Sequence, residues 1–219
     1  MVVKSNSPII SAEEILDGIK SWVDVESPSE DGNMVNQLVD LVEKGARKIG
    51  AKVERQAGRD GFGDILLIRT PWGEAMPGIL VLSHLDTVHP KGTLEILNPW
   101  RKEGDKIYGP GIYDMKSGAY MAFYAYQHLV RSGMESPLPI TFVYVPEEEV
   151  GSPTSRELIE HEAKNNKYVL VTEPARDGGK VVTARRGVMR FSISAHGRPA
   201  HSGLRHQDGR SAIREMAHQ

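Results

Sequence analysis

Apolar positions along this chain alternate between two spacings, and the changes of spacing mark its elements. Ser11-Ala12-Glu13-Glu14 has the form of a helix capping box, and Ile15, Leu16, Ile19, Trp22 and Val23 follow at helical spacing. A second helical pattern runs from about Gly32 to Ile49, with Gly50 placed to end it. Lys52 to Gln56 reads as a short strand. Asp64 to Thr70, Ile79 to Ser83, Ile140 to Val145 and Tyr168 to Val171 are stronger strands, nearly unbroken apolar runs. Such runs suit strands covered by helices on both faces. Asp114 to Ser132 reads as a long helix closed by Gly133. Ser152-Pro153 reads as an N-cap and a first-turn proline, opening a helix that reaches about Ala163. The order predicts an α/β domain, layered helix–sheet–helix.

After Glu173 the texture changes. Val181 to Ala184 and Gly187 to Ala195 read as strands, and Arg190, Ser192 and Ser194 alternate with Met189, Phe191 and Ile193. That alternation predicts a sheet wet on one face. Asp208 to Gln219 reads as a helix capped by Asp208, with Ile213, Met216 and Ala217 on one side. One strand and one helix cannot bury their own apolar faces. The expectation is a first domain over residues 1–184 and the opening of a second, α+β domain over 185–219, cut off by the end of the sequence.

Composition narrows the partners. The 219 residues hold 27 Lys and Arg against 29 Asp and Glu, a net charge of -2. With that balance, and no basic run interleaved with aromatics, neither nucleic acid nor an anionic membrane is expected as a partner. The chain has no cysteine, so any metal must be held by His, Asp and Glu. Met1 to Ile10 contains one Lys and no long apolar core, so no signal peptide is expected. No apolar stretch approaches the roughly 20 residues of a membrane span. A cytoplasmic protein is the expectation.

The candidate chemistry lies at strand ends, where an open α/β sheet presents residues to a ligand. His84 and Asp86 stand two apart at the end of one strand, so their side chains point the same way. Read alone they suit a metal ligand with a carboxylate on its second nitrogen, or a solvated turn. Asp114 follows a Gly-Pro-Gly turn and opens a predicted helix, which suits either an N-cap or a carboxylate bridging two metals. Glu147, Glu148 and Glu149 terminate a buried strand, where mutual repulsion is unfavourable without a counter-cation. Glu173 ends the next strand, as a cap or a ligand. Two divalent cations carry about four positive charges, which Asp114, Glu149, Glu173 and a hydroxide would balance. His89, His128, His161 and His196 read as surface or packing residues.

Taken as a set, Leu82-Ser83-His84-Leu85-Asp86-Thr87-Val88, Glu103 to Gly111 leading to Asp114, and Glu148-Glu149-Val150-Gly151-Ser152 resemble the zinc-dependent exopeptidases. That family includes glutamate carboxypeptidase, acetylornithine deacetylase and succinyl-diaminopimelate desuccinylase. The resemblance runs from about Trp22 to Gly203 and in texture is nearest to glutamate carboxypeptidase. It implies two zinc ions, with cobalt or manganese as substitutes. His84 and Glu173 would hold one, Glu149 the other, and Asp114 both. It makes Glu148 the general base and Asp86 the partner of His84. It also makes His201 of Ala200-His201-Ser202-Gly203 an oxyanion-stabilising residue of a lid and dimerisation domain. The implied reaction is hydrolysis of an amide bond beside a free carboxylate. Its substrate is a small peptide losing C-terminal glutamate or, alternatively, an N-acyl amino acid, and the enzyme is a homodimer. The sequence departs from the family in one respect. A further zinc-binding histidine and a carboxylate-binding arginine are expected from later regions that these residues do not contain; His206 and His218 do not match that motif. A metal-binding remnant without catalysis and a metal-free α/β binding domain are the rival readings.

Overall fold

The computed structural model of the chain describes residues 10–73, 77–187, 189 and 191–219. These fall into two units, one ending at Pro174 and one from Ala175 to Gln219. The first unit contains α1 (Ala12–Val23), α2 (Gly32–Lys48), β1 (Lys52–Gln56), β2 (Ile65–Arg69), β3 (Ile79–His84), β4 (Arg101–Glu103) and β5 (Lys106–Tyr108). It continues with α3 (Ser117–Arg131), β6 (Ile140–Val145), α4 (Arg156–Asn165) and β7 (Tyr168–Val171). Five strands form one mixed sheet in the order β1-β2-β6-β3-β7. The β1–β2 and β2–β6 pairs are antiparallel, and the β6–β3 and β3–β7 pairs are parallel. β4 and β5 make a separate antiparallel hairpin.

A strand sends alternate residues to opposite faces, and here both faces are apolar. On one, Leu66, Ile68, Val81, Phe142 and Tyr144 pack with Trp22, Leu38, Val42, Tyr120 and Phe123 from α1, α2 and α3. On the other, Ile65, Leu67, Leu80, Val143 and Val145 pack with Leu158, Ile159 and Ala163 of α4. That double cover is why these runs show no polar alternation. Each large apolar side chain so buried contributes about 1.5–3 kcal/mol, which makes β2 and β6, buried along nearly their whole length, the firmest strands of the sheet. β7 differs. Its residues Tyr168, Val169, Leu170 and Val171 are 44% to 53% exposed, and its ladder runs to β3 alone among the described strands.

Local chemistry moves several boundaries. The Ser11 hydroxyl accepts the Glu14 amide, but the Glu14 carboxylate goes to Tyr124 and Arg131 of α3 instead of closing the capping box. α3 starts at Ser117, not Asp114. The Lys116 amide closes a turn onto the Gly111 carbonyl, and Asp114 stays extended at φ -118, ψ 99. α4 starts at Arg156, not Ser152, because Ser152 is left-handed at φ 53 and the amides of Thr154 and Ser155 are taken by the Glu147 carboxylate.

In the second unit the helix is shorter than its pattern suggests. α5 spans Ala212–Met216 and is capped by Ser211, whose hydroxyl accepts the Arg214 amide; Asp208 lies in a 3-10 turn. Residues 181–184 are irregular, and the described part of 187–195 forms no strand; Val188 and Arg190 of that expected strand lie outside the described residues. Isolated bridges join Arg176 to Lys180 and Arg198 to Arg210. A strand needs a hydrogen-bonded neighbour, and the described residues supply none there. Among the described residues no helix is long and apolar enough to cross a membrane.

Candidate metal centre

Three strands end side by side in parallel, β6–β3–β7, and each end delivers a polar group. This is the carboxyl edge where α/β sheets bind ligands. β3 delivers His84, which is only 1% exposed. The loop after β6 delivers Glu147, Glu148 and Glu149, and the residue pair after β7 delivers Glu173. Asp114 arrives from the turn before α3, and the peptide joining it to Met115 is cis. Gly118, in the first turn of α3, lies so near β7 that an added Cβ would stand 2.0 Å from the Thr172 carbonyl oxygen.

The distances bring the acids onto one imidazole. His84 Nε2 lies 3.1 Å from Asp114 Oδ1, 3.5 Å from Glu173 Oε1 and 3.9 Å from Glu148 Oε2. Two sets of three donor atoms each fall within 4.8 Å of one another: His84, Glu148 and Glu173, and His84, Asp114 and Glu149. The other ring nitrogen, Nδ1, faces the Asp86 carbonyl oxygen at 2.9 Å and the Asp86 carboxylate at 3.3 Å. Both are acceptors, so Nδ1 carries the proton. A neutral ring then presents its Nε2 lone pair to three carboxylates. Only a proton or a cation placed between them relieves that arrangement.

Electrostatics agree with this reading of the protons. Burial would push the His84 imidazole down, but hydrogen bonds to Asp86 and Glu173 and the fields of Asp86 and Glu148 outweigh it, raising it to about 11. Asp114 is raised by burial and by the Glu173 charge. Glu148 is raised by burial and by Glu173, Asp86 and Asp114, against the pull of His84. Glu149 is raised by burial, then by Asp114, Asp86 and Glu148, again against His84. The site holds more negative charge than it can stabilise alone. Its donors, one imidazole and several carboxylates, suit divalent zinc, cobalt or manganese.

Asp86 is fully buried and binds in four directions. Besides facing His84, its carboxylate accepts the amides of Glu148 (3.1 Å) and Glu149 (3.2 Å) and the Ser29 hydroxyl (2.5 Å). It therefore joins the end of β3 to the acidic loop after β6. Glu147, which in sequence is indistinguishable from its two neighbours, turns away. It is fully buried and accepts from the Thr154 amide and hydroxyl and the Ser155 amide. Lys116 is buried as well, and burial lowers its ammonium to about 7 against the pull of Glu26 and Asp86. Sequence reasoning missed Ser29 and Lys116; the polar run Glu26-Ser27-Pro28-Ser29 between two amphipathic helices was the available signal. His201 lies exposed in the second unit, where its Nδ1 accepts the Gly203 amide at 3.2 Å.

A cavity of about 560 Å³ adjoins Asp114 and Glu149, with Val88, Ile107, Tyr108, Ile112 and Tyr113 in its wall.

The chain is similar to known peptidases. A family model described as peptidase family M20/M25/M40 matches residues 80–219. The chain is 30% identical over 204 residues to carboxypeptidase G2 of Pseudomonas sp. (strain RS-16), spanning 93% of this chain and 49% of that protein. It is 27% identical over 232 residues to a probable carboxypeptidase of Arthroderma otae, spanning 99% of this chain and 49% of that one. The chain thus spans about half the length of the curated relatives it matches. Among solved structures, a tripeptidase from Staphylococcus aureus superposes with a TM-score of 0.71 at 16% identity, over 96% of this chain and 56% of that one. Human carnosine dipeptidase 1 superposes with a TM-score of 0.65 at 18% identity, over 74% of this chain and 39% of that one.

Proposed function

The chain belongs to peptidase family M20/M25/M40, and from that premise we propose that it carries the metal-binding half of a dinuclear zinc exopeptidase. The reaction is cleavage of an amide bond beside a free carboxylate, with C-terminal glutamate as the leaving group. The observation that carries the metal is the His84 ring, whose lone pair faces Asp114, Glu148 and Glu173 with its other nitrogen already committed to Asp86. The carboxypeptidase names of the relatives support cleavage beside a free C-terminal carboxylate, and the choice of glutamate rests on the motif resemblance. Residues 1–184 form the catalytic portion in this reading, and 185–219 open a lid that also serves dimerisation.

His84 and Glu173 would hold one ion and Glu149 the other, with Asp114 available to both. When bound, zinc supplies Lewis acidity, lowering the pKa of a water toward about 7 and polarising the substrate carbonyl. Glu148 is the general base. Its carboxyl is half exposed, so it reaches solvent, and its raised pKa suits it to take a proton and return it to the leaving amine. Asp86 holds the His84 ring in one tautomer and the 148–149 amides in place. His201 would be the oxyanion-stabilising residue that the motif resemblance assigns to Ala200-His201-Ser202-Gly203. The cavity beside Asp114 and Glu149 gives the acyl side of the substrate room. Its apolar wall favours, as a second reading, deacylation of N-acyl amino acids.

Glu148→Gln tests the assignment. It should bind zinc as the parent does and lose turnover of glutamate-terminated dipeptides and N-acyl glutamates. Near-normal turnover in that variant ends the assignment of Glu148.

A further inference from the structure

The segment between α1 and α2 forms no regular element, yet it grips the supports of the metal centre at several points. The Val25 carbonyl accepts Lys116 Nζ at 2.7 Å, two residues from Asp114. The Glu26 carboxylate accepts the amides of Gly92 (2.7 Å) and Leu94 (2.8 Å) in the loop after β3. The Ser27 hydroxyl donates to the Leu85 carbonyl at 2.6 Å, and its own carbonyl accepts the Thr87 amide at 2.8 Å. Pro28 bridges Thr87 in parallel register. The Ser29 amide donates to the Thr87 carbonyl at 3.2 Å, and its hydroxyl to Asp86 Oδ2 at 2.5 Å. The segment runs as a rail beside Leu85-Asp86-Thr87. Ser29 is the point where it meets the carboxylate that orients His84.

We propose that Ser29 is a positioning residue of the metal centre, acting through Asp86. The proposal rests on reading His84, Asp114, Glu149 and Glu173 as metal ligands. Asp86 Oδ1 faces His84 Nδ1 at 3.3 Å and accepts the Glu148 amide. Oδ2 accepts the Glu149 amide and the Ser29 hydroxyl. Each carboxylate oxygen takes one amide from the loop, and the Ser29 hydroxyl adds a second, shorter hold on Oδ2 from a different segment. That hold ties the plane of the carboxylate to the rail as well as to the loop. Without it the terminal torsion of Asp86, a soft one for Asp, follows the 148–149 loop alone, and the ring loses its reference to the rail. Ser29 is 6% exposed, so bulk water has little access to replace the hydroxyl. A hydroxyl-to-carboxylate bond this short and buried is of the strong, charge-assisted kind.

The test measures metal affinity and geometry directly, by Zn²⁺ calorimetry and by the visible spectrum of the chain titrated with Co²⁺. Ser29→Ala should weaken binding at least tenfold, the scale seen when the partner orienting a metal-bound histidine is removed, and should change the Co²⁺ band. Ser29→Thr and Ser29→Val have the same shape and differ in the hydroxyl; Thr should bind at least tenfold tighter than Val. This pair carries the test if Ser29→Ala does not fold. In an Asp86→Asn background, Ser29→Ala should cost no further affinity. Equal affinities for the Thr and Val variants overturn the proposal. So does a loss matched by Ser27→Ala, which cuts the rail without touching Asp86, or a full additional loss in the Asp86→Asn background. Failure of the parent chain to bind either ion overturns the metal reading as well, whereas the other outcomes leave that reading standing.

Discussion

Glu147 and Glu149 are adjacent in sequence and chemically alike, yet the structure assigns them opposite consequences on removal. Glu147→Ala deletes three hydrogen bonds to a buried carboxylate, from the Thr154 amide and hydroxyl and the Ser155 amide. Bonds to a charged group contribute about 1.5–3 kcal/mol each. All three converge on one oxygen, so they do not add fully, and removing the carboxylate also relieves its own burial cost. A net loss of about 3–4 kcal/mol remains, or roughly 10 °C in Tm for a domain of this size. Glu149→Ala goes the other way. Burial and the neighbouring Asp114, Asp86 and Glu148 raise the Glu149 carboxyl, so at neutral pH its charge opposes folding of the metal-free protein. Removing it should leave the metal-free Tm unchanged or higher, while zinc affinity falls at least tenfold. Urea titrations followed by circular dichroism, with and without zinc, read both effects; an unchanged slope with a shifted midpoint isolates stability. A loss below about 1 kcal/mol for Glu147→Ala would refute the ledger of hydrogen bonds. A metal-free Glu149→Ala protein as destabilised as Glu147→Ala would refute the picture of an overcharged centre.

The remaining predictions concern protons, metal removal and packing. The metal-free His84 ring, raised to about 11, is protonated at pH 8, so zinc must displace that proton; calorimetry in buffers of different ionisation enthalpy should find about one proton released, with affinity rising as pH rises. In the metal-free protein the same group contributes stability that is complete below its unfolded value of 6.5 and lost as pH climbs toward about 11, a decline urea midpoints should register once other titrating groups such as Lys116 are held by comparison with His84→Gln. Stripping zinc with a chelator should lower stability by about 2.7 kcal/mol relative to protein held at one hundred times the dissociation constant, and no change would argue against a folded-state site. Gly118→Ala forces a methyl against the Thr172 carbonyl, so it should cost about 1–3 kcal/mol and weaken zinc binding through the adjacent Glu173; wild-type affinity would show that β7 yields freely.

Much of the sheet was legible because burial on both faces writes itself into sequence as unbroken apolar runs, and β2, β3 and β6 carry such runs. The gathering of His84, Asp114, Glu148, Glu149 and Glu173 was legible because each follows a strand or a glycine-rich turn, and a crowd of acids at a sheet edge has few uses. The division of labour within Glu147-Glu148-Glu149 was not. It depends on which side chain swings back under the loop, and that is decided by the left-handed Ser152 and the amides beyond it. Ser29 escaped notice for another reason. It meets a partner 57 residues away, from a stretch with no periodicity to mark it. The strand expected over 187–195 rests on alternation and that over 181–184 on a short β-branched run, and neither supplies the neighbour that a ladder requires.

The centre draws on supports of unequal firmness. His84 sits on a strand clamped between two apolar layers, whereas Glu173 follows β7, whose residues are half exposed and which among the described strands pairs with β3 alone, helped by a bond between the Thr172 and Ser83 hydroxyls. Parting that edge would carry Glu173 away from His84. In the proposed metal reading, loss of one ion becomes an event at the margin of the sheet, and hydrogen exchange at Tyr168 and Thr172, whose amides donate to the Gly78 and Leu82 carbonyls, would keep time with it.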